Sequence, residues 1–376
     1  MNLTTSQKVA AFAGLCLASL AIGVGLVVDA KTSVRSADGN TPANSVTAGG
    51  ADPSGRSNPS GGSNPSGKSR TVAPTITYDD RRPATLQAAL NQPHFLSVRY
   101  PHFEGEAFQL EVIRAQNPGS KRVKTDLPCQ RVYFRSGRGL CVESPSGPAT
   151  TVKVFDASLR VTRTLALFGS PSRVRVSPAG RYGAITNFIS GHSYSDASFS
   201  TATYFLDLGT GAWTNLEAWD AFRGSDRITD AKRNFWGVTF VSETVFYATL
   251  GIGRERYLVE GDATTRRLEV IRDNIACPSV SPDGKRLTFR RSVVEPNGVV
   301  SVPLFLLDLS TGAERRLPEK LDIDDQPEWL DNHRIVYGTP TGPPNIVVLD
   351  VDDLSDSSMP AVLFPDAWNT TYVGSQ

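Results

Sequence analysis

The chain has 376 residues with 39 basic and 38 acidic side chains, 32 glycines, 25 prolines and 39% hydrophobic residues. That composition excludes a wholly disordered chain and a multi-span membrane protein, and glycine without a strict period excludes a collagen-like helix. A formal charge of +1 lacks the basic excess of a nucleic-acid binder, so no nucleic-acid partner is expected.

Residues 1–8 form a short tail. From Val9 to Val28 the chain runs 20 residues without a charge, and as a helix this run spans about 30 Å, the thickness of a bilayer core. A cleaved signal peptide carries an apolar region of only about 7–15 residues. The length therefore favours an uncleaved signal-anchor over 9–28, although Val28-Asp29-Ala30 loosely resembles a cleavage site. Either reading exports the remainder of the chain. The expected location is the cell membrane, single-pass, with the folded part extracytoplasmic, or secreted if the segment is cleaved.

Residues 29–75 read as a disordered linker. Between 31 and 75 there are seven Gly, nine Ser, five Pro and four Asn and no aromatic residue, and Ser-Asn-Pro-Ser-Gly occurs twice, at 57–61 and 63–67. Such a stretch cannot bury enough apolar surface to offset its ordering entropy. It is a tether between membrane and folded part.

From residue 76 onward one type of segment recurs: an apolar strand, a tight glycine turn and a second strand. It is seen at 108–123, 152–167, 204–216, 256–271, 304–317 and 346–363, with start-to-start spacings of 44, 52, 52, 48 and 42 residues. A second hairpin type precedes most copies, clearest at Cys277-Pro-Ser-Val-Ser-Pro-Asp-Gly284 and Arg173-Val-Arg-Val-Ser-Pro-Ala-Gly180, with weaker copies at 129–142, 235–248 and 326–337. Two hairpins make a four-stranded sheet of roughly 40–50 residues, the period of a propeller blade. Six blades fill the length. The first blade lacks a clear inner hairpin, and the segment 366–373 either supplies a closing strand or simply trails.

Ser281-Pro-Asp-Gly-Lys-Arg-Leu-Thr-Phe289, Leu306-Leu-Asp-Leu-Ser-Thr-Gly312 and Asp325-Gln-Pro-Glu-Trp-Leu-Asp-Asn332 resemble the repeat of TolB-type, WD40-like β-propellers. In that family a Pro-x-Trp-Ser-Pro-Asp-Gly stretch opens a blade. Here Pro327 and Trp329 stand in one blade and Ser281–Gly284 in another, so the match is distributed over roughly 95–365. The resemblance implies an all-β, six-bladed propeller over 76–376, preceded by one transmembrane helix and a disordered linker. The small α/β domain of TolB itself is replaced by the tether, which argues against a role in the Tol–Pal system.

Within-hairpin turns are mostly minimal, whereas the connections between hairpins and between blades are longer, so the connection side is the expected working face. Candidate ligand-binding residues there are His192, Tyr194, Asp196, Trp219, Asp220, Arg223, Asp226, Asp324 and Asp325. The run Leu321-Asp-Ile-Asp-Asp325 precedes an inner strand, a position compatible with a cation held by carboxylates at the channel. No other cofactor is expected.

Known catalytic patterns are missing. Gly191-His-Ser-Tyr-Ser195 falls short of a nucleophile elbow, and the four histidines show no metal-binding spacing. Gly209-x-Gly211 and Gly251-x-Gly253 are turns by context, and the pairs Arg290-Arg291 and Arg315-Arg316 read as solvated strand edges. Cys129 and Cys141 are a candidate disulfide; a hairpin turning at Gly137-Arg138 would set Cys141 opposite Phe134, so Cys129 must bend back to reach it. Cys277 then remains single. The functional expectation is a membrane-tethered module that binds or scaffolds an envelope protein, peptide or glycan. The alternative is a propeller lyase or glycosidase with a carboxylate or cation site at the channel mouth.

Overall fold

The computed structural model describes residues 76–79, 82–101, 106–119, 121–144, 148–191, 194, 199–319, 323, 325–339, 344–353 and 359–374. The expected membrane segment and linker lie outside them. Among the described residues no helix is long and apolar enough to cross a membrane.

The Ser-Pro-x-Gly segments close hairpins as their chemistry requires. Gly180 donates its N–H to the Ser177 carbonyl at 2.9 Å and Gly284 to that of Ser281 at 2.9 Å, with φ of 75° and 72° at the glycines. Proline presets the second turn position and glycine supplies the left-handed one. The outer hairpins use another device. Asp156, Asp207, Asp262, Asp308 and Asp350 each end the third strand of a blade, and each Oδ1 accepts the N–H two residues on at 2.8–3.0 Å. These are Asx turns. The Ser310 hydroxyl and neighbouring N–H groups hold the Asp308 carboxyl down to about 2.

A short helix α1 (Pro83–Leu90) precedes β1 (His94–Arg99), β2 (Gln109–Arg114) and β3 (Val123–Pro128). The second blade is β4 (Arg131–Arg135), β5 (Arg138–Glu143), β6 (Ala149–Asp156) and β7 (Val161–Phe168). The third is β8 (Ser170–Val176), β9 (Tyr182–Ser190), β10 (Ser200–Asp207) and β11 (Trp213–Asn215). Next come β12 (Asp220–Arg223) and β13 (Asp226–Arg227), then β14 (Asn234–Phe240), β15 (Val245–Ile252), β16 (Glu255–Asp262) and β17 (Arg267–Asp273). β12 pairs parallel with β17, so the fourth blade is widened to six strands.

The fifth blade joins β18 (Ala276–Val280) and β19 (Arg286–Arg290) to β22 (Leu304–Asp308) and β23 (Glu314–Arg316); between them β20 (Val293–Val294) and β21 (Val300–Ser301) form a separate hairpin. The sixth is β24 (Glu328–Trp329), β25 (Arg334–Gly338), β26 (Ile346–Asp350) and β27 (Ala361–Phe364). The last strand, β28 (Asn369–Val373), then returns to pair antiparallel with β1, Leu96 opposite Thr371. It becomes the inner strand of the first blade. That is why the sequence shows no inner hairpin there.

Alternating strands bury one face against each neighbouring sheet, and a hydrophobic cluster fills each seam. Leu96, Val132 and Phe155 lie between the first and second blades, and Leu140, Ile185 and Leu206 between the second and third. Phe205, Trp219 and Phe246 join the third to the fourth, and Leu258, Phe289 and Leu307 the fourth to the fifth. Leu306, Trp329 and Leu349 join the fifth to the sixth, and Phe95, Val336 and Phe364 close the ring. Each large side chain so buried contributes about 1.5–3 kcal/mol.

The first inner hairpin turns one residue earlier than the sequence suggests. Arg135 pairs with Arg138, and Ser136 and Gly137 form the loop with φ of 47° and 78°. Two positive φ values suit the right-handed strand twist, and serine in that conformation is uncommon. Cys141 therefore faces Val132 rather than Phe134, and Cys129 and Cys141 form a disulfide with Cα atoms 5.4 Å apart.

Candidate functional site

All inner strands enter from the connection side, so their first residues ring the mouth of the central channel. A cavity of about 300 Å³ opens there, lined among others by Arg131, Ser172, Arg173, Asp325, Thr339 and Trp368. The Asp325 carboxylate accepts the N–H of Gln326 at 2.9 Å and of Gly338 at 3.3 Å. The Arg131 guanidinium lies 4.6 Å from the Trp368 ring centre. Deeper in, the Gln326 side chain crosses the channel and donates Nε2 to the carbonyls of Gly237 (3.1 Å), Val238 (3.2 Å) and Pro278 (2.5 Å). Arg175 caps the carbonyls of Gln326 and Pro327 and stands 3.8 Å from the partly buried Glu328. Burial pushes the Glu328 carboxyl up, Arg175 pulling the other way, and pushes the Tyr133 hydroxyl up to about 12.

A larger basin of about 1110 Å³ opens on the same face over the third, fourth and fifth blades. The β9–β10 and β15–β16 connections, the entries to β14 and β18 and the β19–β22 connection enclose it. Its floor carries Tyr194 stacked on Trp236, ring centres 5.1 Å apart, with Phe199 edge-on to both. Tyr194 Oη is 2.7 Å from Ser172 Oγ, and the Arg173 guanidinium lies 5.2 Å from its ring centre. Tyr194 thus separates the basin from the channel mouth. Gly237, with φ of 64°, lets β14 approach β18: a Cβ there would meet the Cys277 Cα at 3.1 Å.

The basin is basic. Lys232, Arg233, Arg254, Arg256, Arg290 and Arg291 line it, and no described lining residue is acidic. Carbonyls hold two of these side chains in place: Arg233 donates to Ile228 (2.6 Å) and Glu217 (2.7 Å), and Arg256 to Gly253 (2.8 Å) and Glu255 (2.9 Å). Burial pulls the Arg256 guanidinium below its ordinary value. Arg291 is paired with Glu314 at 2.6 Å.

The structure brings together only some of the candidates read from the sequence. Tyr194 and Asp325 stand on the connection face at the two cavities. His192, Asp196 and Asp324 lie outside the described residues. Trp219 is 3% exposed and packs on Phe205 and Phe246, its Nε1 donating to Thr214 Oγ1 at 3.1 Å. It is a seam residue, because its segment passes between the third and fourth blades rather than over them. Asp220, Arg223 and Asp226 lie on the β12–β13 hairpin at the outer edge of the fourth blade, away from the channel. Asp220 pairs there with Arg227, and Arg223 with Asp273 at 2.5 Å.

The basic residues of the basin are not among those candidates. Arg290 reads as solvated in the sequence, yet it is buried with Nε 3.4 Å from the Val302 carbonyl. The available signal is positional: these residues stand at strand ends that a propeller turns to one side.

No protein-family model and no curated protein sequence matches the chain. Among solved structures it is similar to TolB from Acinetobacter baumannii, with a TM-score of 0.50 at 15% identity, over 74% of this chain and 66% of that one. The fold is a TolB-like six-bladed propeller. The matched part is just under two thirds of that TolB's length. A 6-phosphogluconolactonase-like structure from Bacteroides fragilis aligns at 11% identity over 75% of this chain and 98% of that one, TM-score 0.43. The propeller domain of the Trilobed protease from Pyrococcus furiosus aligns at 13% identity over 68% and 80%, TM-score 0.39. At these identities the TolB-like likeness is one of fold, and one propeller serves many functions.

Proposed function

We propose that this TolB-like propeller is a binding module, held on the extracytoplasmic side of the cell membrane by residues 9–28 and the 29–75 tether, and that its connection face captures an envelope protein, peptide or glycan. The observation that carries the reading is the basin of about 1110 Å³ with a basic lining, built from loops of three blades on a rigid ring. Concave sites of this kind, on loops fixed by a scaffold, are where binding residues concentrate. On the opposite face the within-hairpin turns of the second to fifth blades are short.

The test is cross-linking capture from intact cells, with wild-type chain beside a Lys232→Glu, Arg254→Glu variant. Both positions are exposed, so the variant keeps the fold. One or two dominant envelope components enriched by the wild type and lost by the variant support the reading. Identical capture by both samples removes the basin from it. External protease that fails to reach a C-terminal epitope on intact cells, yet cleaves it after lysis, overturns the location.

A further inference from the structure

The basin has two chemically different walls. On one side stand the exposed cations Lys232 and Arg254, above the fixed guanidinium of Arg256. On the other, the β19–β22 connection folds into the β20–β21 hairpin, where Val294 and Val300 are direct cross-strand partners. They are 72% and 63% exposed, and Val300 lines the basin. Two valines side by side in water at the rim of a cation-lined basin suit a ligand that carries both carboxylates and an aliphatic side chain.

Backbone and ring geometry narrow the class. β20 and β21 pair with one another and, among the described residues, with no further strand, so β21 presents an open edge beside Val300 and Val302, both basin-lining. An extended peptide can add to such an edge and set alternate side chains on opposite sides. A sugar needs an open aromatic face instead. Here Tyr194 is covered by Trp236 on one side and flanked by Arg173, and Trp236 is 1% exposed.

We propose that the basin binds a short acidic peptide segment with an aliphatic side chain, its carboxylates meeting Lys232, Arg254 and Arg256 and its aliphatic group resting on Val294 and Val300. The proposal rests on the binding-module reading and names its ligand class. The channel mouth, with Asp325 among its lining residues, is a separate site.

The experiment is fluorescence anisotropy on the folded propeller at low salt, with a labelled synthetic peptide alternating glutamate and leucine. Comparison probes are a glutamate–serine peptide, a lysine–leucine peptide and a short uronic-acid oligosaccharide. The glutamate–leucine peptide binds, and added salt weakens it. Lys232→Glu with Arg254→Glu weakens it at least about tenfold, by like-charge repulsion. Val294→Ser with Val300→Ser weakens it about threefold or more, by loss of apolar contact. Equal binding by either variant, or equal binding of the glutamate–serine peptide, overturns the proposal. If the uronic-acid probe alone binds, with the same dependence on Lys232 and Arg254, the peptide class falls and the binding module stands. If no probe binds and the cell capture also enriches nothing, both fall.

Discussion

Arg122 donates Nη1 to Glu111 Oε2 at 3.1 Å, with the two side chains 2% and 0% exposed, at the seam where the last blade meets the first. The same guanidinium donates to the carbonyls of Pro365 and Asp366, the residues that lead into β28. Arg122 also lies 5.9 Å from the Phe364 ring centre. One buried side chain thus ties the first blade to the strand that closes it.

This tie carries the first prediction. Arg122→Met leaves Glu111 buried with Arg99, 3.5 Å away, as its remaining cation. Removing one partner of a buried pair costs about 3–5 kcal/mol, whereas replacing both by apolar groups is far milder. Urea unfolding should show a large loss for the single variant and a smaller one for Arg122→Met with Glu111→Leu. Burial already pushes the Glu111 carboxyl up, with Arg122 opposing. A folded-state value above the unfolded one favours the fold at low pH and is lost as pH rises through it. The deficit of the single variant should therefore be larger at pH 8 than at pH 5.

A second prediction concerns Cys129 and Cys141, 12 residues apart and both fully buried. Closing so short a loop restricts the unfolded chain by about 2–3 kcal/mol. Cys129→Ala with Cys141→Ala should lower stability by that amount without changing the strand content seen by circular dichroism. Non-reducing peptide mapping should return one cross-linked peptide and Cys277 as a thiol. A thiol at all three positions in protein recovered from the cell envelope would sink the assignment.

The architecture is legible because each blade repeats its own turn chemistry. Ser281–Gly284 and Asp308–Gly312 are local devices whose geometry follows from proline, glycine and an Asx turn, and the outer hairpins of the second to sixth blades each turn at such an aspartate. A sequence does not display what the ring assembles from distant segments. The partner of β1 is Asn369–Val373, more than 270 residues away; the sequence offers 366–373 as a candidate closing strand, but its pairing with β1 as the inner strand of the first blade is set only in the ring. The basin is likewise drawn from loops of three blades, and Arg290-Arg291 looks the same in sequence whether it edges a sheet or lines a cavity. Trp219 fails as a site residue for the opposite reason. Its polar neighbours suggest a loop, while Phe205 and Phe246 hold its ring in the seam.

Glu217 gives a pH-dependent prediction. Its carboxylate accepts the Thr203 N–H at 3.0 Å, the Phe235 N–H at 3.3 Å and the Thr201 hydroxyl at 3.3 Å. Burial nevertheless pushes its carboxyl up to about 7, outweighing those donors. The folded state therefore binds this proton more tightly than the unfolded one. The resulting stability is complete below the unfolded carboxyl value of about 4.3 and declines as pH rises through 7. Melting temperature should fall between pH 5 and pH 8, and Glu217→Gln should flatten that slope. An unchanged slope in the variant would assign the proton to another group.

The last prediction concerns the channel. Gln326 Nε2 serves the carbonyls of Gly237, Val238 and Pro278 from two neighbouring blades, all in a region closed to water. Gln326→Ala leaves these acceptors short of a donor, at a cost of about 1–3 kcal/mol. Gln326→Glu is the sharper change, because its carboxylate would face three carbonyl oxygens. That group must stay protonated in the folded state, so its folded-state value is raised and stability is lost as pH rises. Denaturation at pH 5 and pH 8 should show Gln326→Ala equally affected at both, and Gln326→Glu weaker than wild type at pH 5, where one O–H replaces two N–H donors, and much weaker still at pH 8. A glutamate variant as stable as wild type at pH 8 would mean that the side chain does not bridge the channel.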